Sequence, residues 1–293
     1  MQTLYFGRLL KAHQQPGDAS IVLQLLQELQ YLEVNDIGAE HISYLMKAFS
    51  EISAAVQDAK FSGDPKMTKK ITKFLPRLLK HYESELYRCK ITDVIALLEG
   101  YKDLWEAGIL EDVHYTKVHE QCAIYLDNYM DKSKRNMNGN NFSDLMRLIG
   151  DAKFNGIYTY DQKIIIKLEK DFVGFRSENS FFTVSDLKNL LVAFDRASNL
   201  NNMPRLLQTI IDILPQATKN SDADLLEMLK IFDRMQLFQL EKYEHLCHFL
   251  QDYVWNRFNF IDKELTLDYA LFINKIGLWY WDQNLMGQIE EYF

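Results

Sequence analysis

Histidine and cysteine side chains come close together at two places in this sequence, where their chemistry would be metal binding. The first place holds His245, Cys247 and His248, and the second holds His114, His119 and Cys122. A metal site needs three or four converging ligands with supporting groups behind them. On a helix His245 and His248 share a face, but neither place offers an evident third ligand. We therefore predict packed helix residues at both places, and no metal or cofactor.

Sequence motifs for catalysis are also missing. The chain contains no GxxxxGK, GxGxxG, GxSxG or HExxH, which are the motifs that cradle phosphates, position a nucleophile or hold zinc. No Ser/His/Asp or Cys/His grouping can be selected from its scattered residues. We predict that the protein is not an enzyme.

One cluster of charge does stand out, in the segment KMTKKITKFLPRLLKHY. Its cations are Lys66, Lys69, Lys70, Lys73, Arg77 and Lys80. On a helix they fall within an arc of about 100°, with apolar residues opposite, and Pro76 bends or divides that helix. We call these six residues the basic stripe. It is either a solvated face paired with acids of a neighbouring helix, or a contact for an acidic partner protein, or a contact for phosphate of RNA or of anionic lipid.

A second candidate surface is rich in aromatic residues. It comprises Trp279, Tyr280, Trp281, Tyr292 and Phe293, which we call the aromatic end. Consecutive aromatic residues cannot all face one core. They either cover the last structural repeat or dock on another protein, where Trp and Tyr are favoured anchors.

The helices that would position these residues follow a repeated sequence pattern, which is clearest in two segments of the chain. TVSDLKNLLVAFDRASNL and SDADLLEMLKIFDRMQLF align at an offset of 38 residues. Leu187, Leu190, Leu191 and Phe194 then coincide with Leu225, Met228, Leu229 and Phe232. Spacing of i, i+3, i+4 and i+7 lines one face of an α-helix.

Similar apolar faces begin at Leu45, Val94, Leu145 and Tyr269, and a second apolar-periodic stretch follows most of them. These second stretches cover residues 115–130, 160–172, 203–214 and 243–255. A helix pair of this size buries its apolar face only by stacking on a neighbour. We therefore predict an all-α protein, an α-solenoid of about five to six helical hairpins. Residues 1–38 would form an N-terminal helical segment, and residues 39–293 the repeat domain.

Polar residues mark where several of these helices should begin. Thr183 with Asp186, and Ser221 with Asp224, have the spacing of a capping box. Thr92 and Ser143 each precede an Asp that would lie in the first helical turn.

The segments SDLKNLLVAFDRASNL, ADLLEMLKIFDRMQLF and ITDVIALLEGYKDLWEAG resemble degenerate helical-hairpin repeats of organellar proteins. The type is the octotricopeptide and heptatricopeptide repeat found in FAST-kinase-like proteins, and the resemblance spans roughly residues 40–290. It implies either an organellar RNA-binding factor or a structural subunit of a large mitochondrial assembly.

Composition agrees with a helical, protein-binding chain. Among 293 residues there are five Pro and twelve Gly, and the formal net charge is −8. An acidic chain is a poor default partner for nucleic acid. Three separated cysteines suggest no disulfide framework, and no apolar run approaches the ~18 residues of a membrane span.

The first residues, MQTLYFGRLLKAHQQPG, carry two cations and no acid, which is compatible with mitochondrial import or with an ordinary first helix. We predict a non-catalytic helical-repeat scaffold, an accessory subunit of a multiprotein complex, in the mitochondrion or otherwise in the cytoplasm. Its partners would be other protein subunits. The alternative is an organellar RNA-binding repeat protein.

Overall fold

The protein is all-helical in the parts that its computed structural model describes. These parts are residues 65–130, 139–175, 182–197, 203–217, 221–239 and 263–276, together with positions 38, 45, 46, 246, 248, 249, 252, 253 and 261. They contain α-helices and short 3-10 turns and no strand. The predicted all-α class is confirmed.

Nine α-helices lie in the described residues. They are α1 Pro65–Glu85, α2 Ile91–Glu106, α3 Asp112–Asn128, α4 Gly139–Phe154, α5 Gln162–Phe175, α6 Val184–Ala197, α7 Pro204–Ile213, α8 Asp222–Arg234 and α9 Lys263–Ile276. Three 3-10 turns follow α1, α7 and α8, at Leu86–Arg88, Leu214–Gln216 and Leu237–Gln239.

The chain forms two compact units, Met1–Leu168 and Glu169–Phe293. In the first unit α2 packs on α3 to form a hairpin, α2 packs on α4, and α1 packs on α3. In the second unit α6 packs on α7, α6 on α8, and α8 on α9. Since residues 1–37 lie outside the described residues, the N-terminal segment stays a prediction.

The apolar faces predicted from periodicity are the buried faces. The eight apolar residues that coincide in the two aligned copies all have 0% exposure: Leu187, Leu190, Leu191, Phe194, Leu225, Met228, Leu229 and Phe232. The faces that begin at Val94 and Leu145 are buried as well, as are Tyr269 and Phe272 of α9. Burial of such side chains contributes about 1.5–3 kcal/mol each, so these faces hold the helices together.

Helix starts follow the predicted capping residues only in part. Thr183 and Asp186 form the expected reciprocal pair, with the backbone N–H of Thr183 2.9 Å from the Asp186 carboxylate and that of Asp186 3.1 Å from Thr183 Oγ1. Ser221 Oγ accepts from the backbone N–H of Asp224 at 3.3 Å. The carboxylate of Asp224 does not close that second box, because it pairs with Lys188 of α6 at 2.7 Å.

Of the two other predicted starts, that of α2 holds to within one residue, with Asp93 in the first turn as predicted, and that of α4 is wrong. Helix α2 begins at Ile91, one residue before Thr92, and Asp93 accepts from the backbone N–H of Lys90 at 2.9 Å. Helix α4 begins at Gly139, so Ser143 lies inside it and is buried. In α4 the buried face already includes Gly139 and Phe142, so the helix begins a turn before the predicted capping residue.

Residues with left-handed backbone end three of the helices. Gly108 follows α2 with φ 71°, Gly156 follows α4 with φ 72°, and Gln236 follows α8 with φ 59°. After each of them the chain returns to the core through a buried apolar residue, which is Ile109, Ile157 or Leu237. A left-handed residue ends a helix and redirects the chain within a few positions. The segments that leave α2, α4 and α8 therefore turn back to the core at once.

Candidate functional site

The basic stripe lies on α1, as its spacing predicts. Lys69, Lys73, Arg77 and Lys80 are exposed, and the side chains of Lys66 and Lys70 lie outside the described residues. The opposite face of α1 is buried. It presents Phe74, Leu75, Leu78, Leu79 and Tyr82 to the core of the first unit.

Pro76 lies inside α1 without ending it. A proline within a helix lacks one N–H and so removes a bond from the helical ladder. The phenol of Tyr101, on α2, donates to the carbonyl of Leu75 at 2.9 Å. This buried bond fastens α1 to α2 at the position where α1 is weakened.

A groove of about 370 Å³ runs between α1 and α3. Its lining residues are Pro76, Leu79, Lys80 and Glu83 of α1, Tyr101 of α2, and His114, Lys117, Glu120 and Gln121 of α3. On each outer helix these positions repeat every three or four residues, which places them on one face. The end of the basic stripe therefore forms one wall of a polar groove.

The two walls of the groove run in the same direction. Tyr125 of α3 donates to the carbonyl of Cys89, just beyond α1, at 3.2 Å, a separation of 36 residues in sequence. Lys80 and Glu83 of α1, and Lys117 and Glu120 of α3, all line the groove. The groove therefore carries charges of both signs on each of its two outer helices.

Two buried polar atoms of the groove make no hydrogen bond. They are Nδ1 of His114 and Oε1 of Gln121. These two residues lie on the same face of α3, two turns apart. A buried polar atom without a partner costs about 1–3 kcal/mol. Both atoms are closed off from solvent, so they are a cost of packing rather than groups that the groove presents.

Charged groups elsewhere in each unit are mostly paired between neighbouring helices. Arg147 of α4 contacts Glu99 of α2 at 3.1 Å, and Lys188 of α6 contacts Asp224 of α8 at 2.7 Å. Four cations on or beside the groove make no ion pair with any residue that the structure describes: Lys73, Arg77, Lys80 and Lys117. Lys170 and Arg205, which lie away from the groove, likewise make no ion pair with a described residue, so this property is not confined to the groove.

A second cavity, of about 240 Å³, lies between α2 and α4. Arg147, Glu99 and Lys102 line it. Arg147 pairs with Glu99, and Lys102 pairs with Glu106 at 2.7 Å. Because these charges are already used within the protein, this cavity is the weaker candidate.

Of the predicted group in the first unit, His119 and Cys122 are buried in the core, whereas His114 lies at the groove. His119 Nδ1 is 2.7 Å from the hydroxyl of Tyr160, and its ring lies edge-on to Tyr115, with centroids 4.6 Å apart. Burial lowers the pKa of His119 to about 3 and raises the pKa of Cys122 to about 12. A neutral, buried thiol is a weak nucleophile, and the imidazole of His119 is enclosed by the aromatic rings beside it, so both residues belong to the packed core.

Sequence reasoning missed the partner of His119, because Tyr160 is 41 residues away. No group of three or more potential metal ligands occurs in the described residues. Of the other predicted group, His248 is exposed, whereas His245 and Cys247 lie outside what the structure describes. The aromatic end also lies outside it.

No helix within the described stretches has the length and apolar character needed to cross a membrane. Comparison with protein-family models, with curated proteins and with solved structures finds no match.

Proposed function

We propose that this protein is a non-catalytic α-solenoid scaffold, a structural or accessory subunit of a larger protein assembly. In this proposal each helical hairpin buries its apolar side on the next. The outer faces then bind other subunits. The mitochondrial location is part of the proposal and rests on sequence alone.

The observation that carries this proposal is the packing of like helices from successive hairpins. α2 packs on α4 in the first unit, and α6 on α8 and α8 on α9 in the second. Long-range hydrogen bonds also join elements within each unit, including α8 with α9. Tyr269 of α9 donates to the carbonyl of Asp222 at 2.8 Å, and Thr116 of α3 donates to the carbonyl of Ile157 at 3.2 Å. Contacts between sequence neighbours are what a stacked repeat requires.

Buried titratable groups also support a structural role. Burial raises the pKa of Tyr101 well above its usual range, and the hydroxyl is used to hold the Leu75 carbonyl. Burial likewise raises the pKa of Cys89 to about 12. Groups tuned for proton transfer have pKa values near the working pH, and these lie far from it.

The test is affinity purification of the tagged full chain from its own cells, with and without ribonuclease. We expect the same proteins to co-purify at fixed ratios in both samples. Proteins that are lost after ribonuclease treatment would support the alternative instead.

That alternative is RNA binding, and the exposed cations of the basic stripe favour it. It predicts a gel shift with mixed single-stranded RNA at about 100 mM salt, because contacts between cations and phosphates are only partly screened at that salt concentration. Neutralising Lys73, Arg77 and Lys80 would then abolish the shift. Tight binding with this loss would replace the scaffold proposal.

A further inference from the structure

We propose that the exposed face of α1 binds an acidic helix of a partner protein, with its carboxylates against Lys73, Arg77 and Lys80. We call these three cations the α1 row. This inference rests on the proposed scaffold function and names the chemistry of one partner. It selects one of the three uses that the sequence leaves open for the basic stripe, which are an internally paired face, an acidic protein contact and a phosphate contact.

The first argument is the arrangement of the α1 row within a single helix. Lys73, Arg77 and Lys80 all lie inside α1, and all three are exposed. Their spacing of i, i+4 and i+7 places them on one face, about 10 Å from first to last along the helix axis. Because the opposite face of α1 is buried, the face that carries the row points away from the core.

The second argument is the lack of internal partners. No side chain of the α1 row makes an ion pair or hydrogen bond with a residue that the structure describes, and Glu83, three residues after Lys80 on the same helix, does not pair with it. Lys170 and Arg205 are unpaired too, but they lie on different helices. The distinguishing feature of α1 is three such cations in succession on one face, which excludes the internally paired use.

The third argument concerns the kind of anion. Carboxylates border the α1 row, since Glu83 of α1 and Glu120 of α3 line the groove together with Lys80. A membrane surface or an RNA strand carries continuous negative charge, which would extend over these carboxylates and be repelled. Single-stranded RNA also gains affinity by stacking its bases on aromatic rings, and the exposed residues that the structure describes on α1 include no aromatic ring.

The fourth argument concerns the shape of the partner. On an antiparallel helix, acids at i, i+3 and i+7 repeat the two axial steps of the α1 row, and on a parallel helix acids at i, i+4 and i+7 do so. All three ion pairs then form at once along one contact. A protein helix also ends its acidic face where its sequence does, so it need not reach Glu83 or Glu120. The occupant is a helix with one acidic face.

The test uses fluorescein-labelled helical peptides of equal length in one alanine and glutamine background, with anisotropy measured on the purified full chain. The first peptide has glutamates at i, i+3, i+4 and i+7, which share one face. The second has the same four glutamates spread around the helix, and the third has four lysines on one face. Mixed single-stranded RNA and vesicles of phosphatidylcholine and phosphatidylserine are the other probes. We expect the first peptide to bind at least about tenfold tighter than every other probe, since only its charges match the α1 row.

The decisive variant reverses the sign of the α1 row and is K73E/R77E/K80E. We expect it to lose the one-faced glutamate peptide and to bind the lysine peptide, and a general loss of folding would not produce this exchange. The double variant R77E/K80E should lose at least about tenfold in affinity for the one-faced glutamate peptide. The matched control K170E/R205E makes the same change in net charge at two exposed cations on other helices, and it should lose none.

Equal binding of the two glutamate arrangements, an unchanged preference in the reversed variant, or tighter binding of RNA or of the vesicles would overturn the proposal. Its failure can be separated from failure of the scaffold function. If the wild-type chain co-purifies with other subunits but does not prefer the one-faced glutamate peptide, only the α1 proposal fails. If it purifies alone yet the reversed variant exchanges its preference, the scaffold proposal fails.

Discussion

At the scale of the residue, His119 shows how burial sets the chemistry of a side chain. It is fully buried, bonded to Tyr160 and flanked by the ring of Tyr115. Burial disfavours the imidazolium and lowers the pKa to about 3. The unfolded chain binds a proton near pH 6.5, and the folded chain does not.

The consequence is a pH-dependent stability. Between about pH 6.5 and pH 3 the unfolded state holds one more proton than the folded state, so the free energy of unfolding falls as pH is lowered. We expect this residue to contribute a loss of about 2 kcal/mol between pH 7 and pH 5. Urea unfolding at both pH values measures it.

The control for this prediction is a comparison of two variants. H119F should be less stable at pH 7 but should lose less stability on acidification. Q216A changes an exposed side chain that does not titrate and should keep the wild-type slope. Equal slopes in H119F and in the wild type would contradict the assignment to His119.

Gln236 carries a second residue-scale prediction, because its φ of 59° is a conformation that favours glycine. Gln236→Gly removes the clash of Cβ with the backbone, and we expect it to stabilise the protein by about 0.5–1 kcal/mol. Thermal unfolding measures the change. The same substitution at Gln216, which is exposed and has ordinary φ, should destabilise. A destabilised Q236G would show that the turn at α8 is not strained.

At the scale of the element, the helix ends are where side chains act most directly. Thr183 and Asp186 satisfy each other's backbone N–H groups at the start of α6. Helix starts otherwise leave such donors without partners. The same pair also lies where the apolar face of α6 begins, so it fixes the register of that face.

Replacing this cap tests its contribution. We expect Thr183→Ala to lower the free energy of unfolding by about 1 kcal/mol, measured by urea titration. Thr183→Ser keeps the hydroxyl and should lose much less. Equal losses in the two variants would mean that the methyl group, rather than the cap, stabilises α6.

Periodicity predicted the helices and their buried faces because both depend on residues a few positions apart. Leu187 and Leu225 are examples, and both are fully buried. Pairing across hairpins could not be predicted in this way. The bond of Asp224 to Lys188 joins residues 36 positions apart, and the groove needs a register between α1 and α3 that no local pattern contains. The basic stripe was visible in the sequence, whereas its acidic counterpart at Glu83 and Glu120 was not.

At the scale of the whole molecule, each of the two compact units contains helices that pack on the helix two elements along the chain, α2 on α4 in the first and α6 on α8 in the second. Interfaces of this kind build long surfaces from short segments. In our account those surfaces bind other proteins. The paired charges hold neighbouring hairpins together, and the unpaired charges of the groove remain for a partner.

The measurement that tests this account most directly is the native mass of the particle that carries the chain in a mild-detergent extract treated with ribonuclease. We predict a mass well above the 34.5 kDa of the chain, unchanged by the ribonuclease. Migration as a 34.5 kDa monomer, or collapse to that mass once RNA is removed, would contradict it.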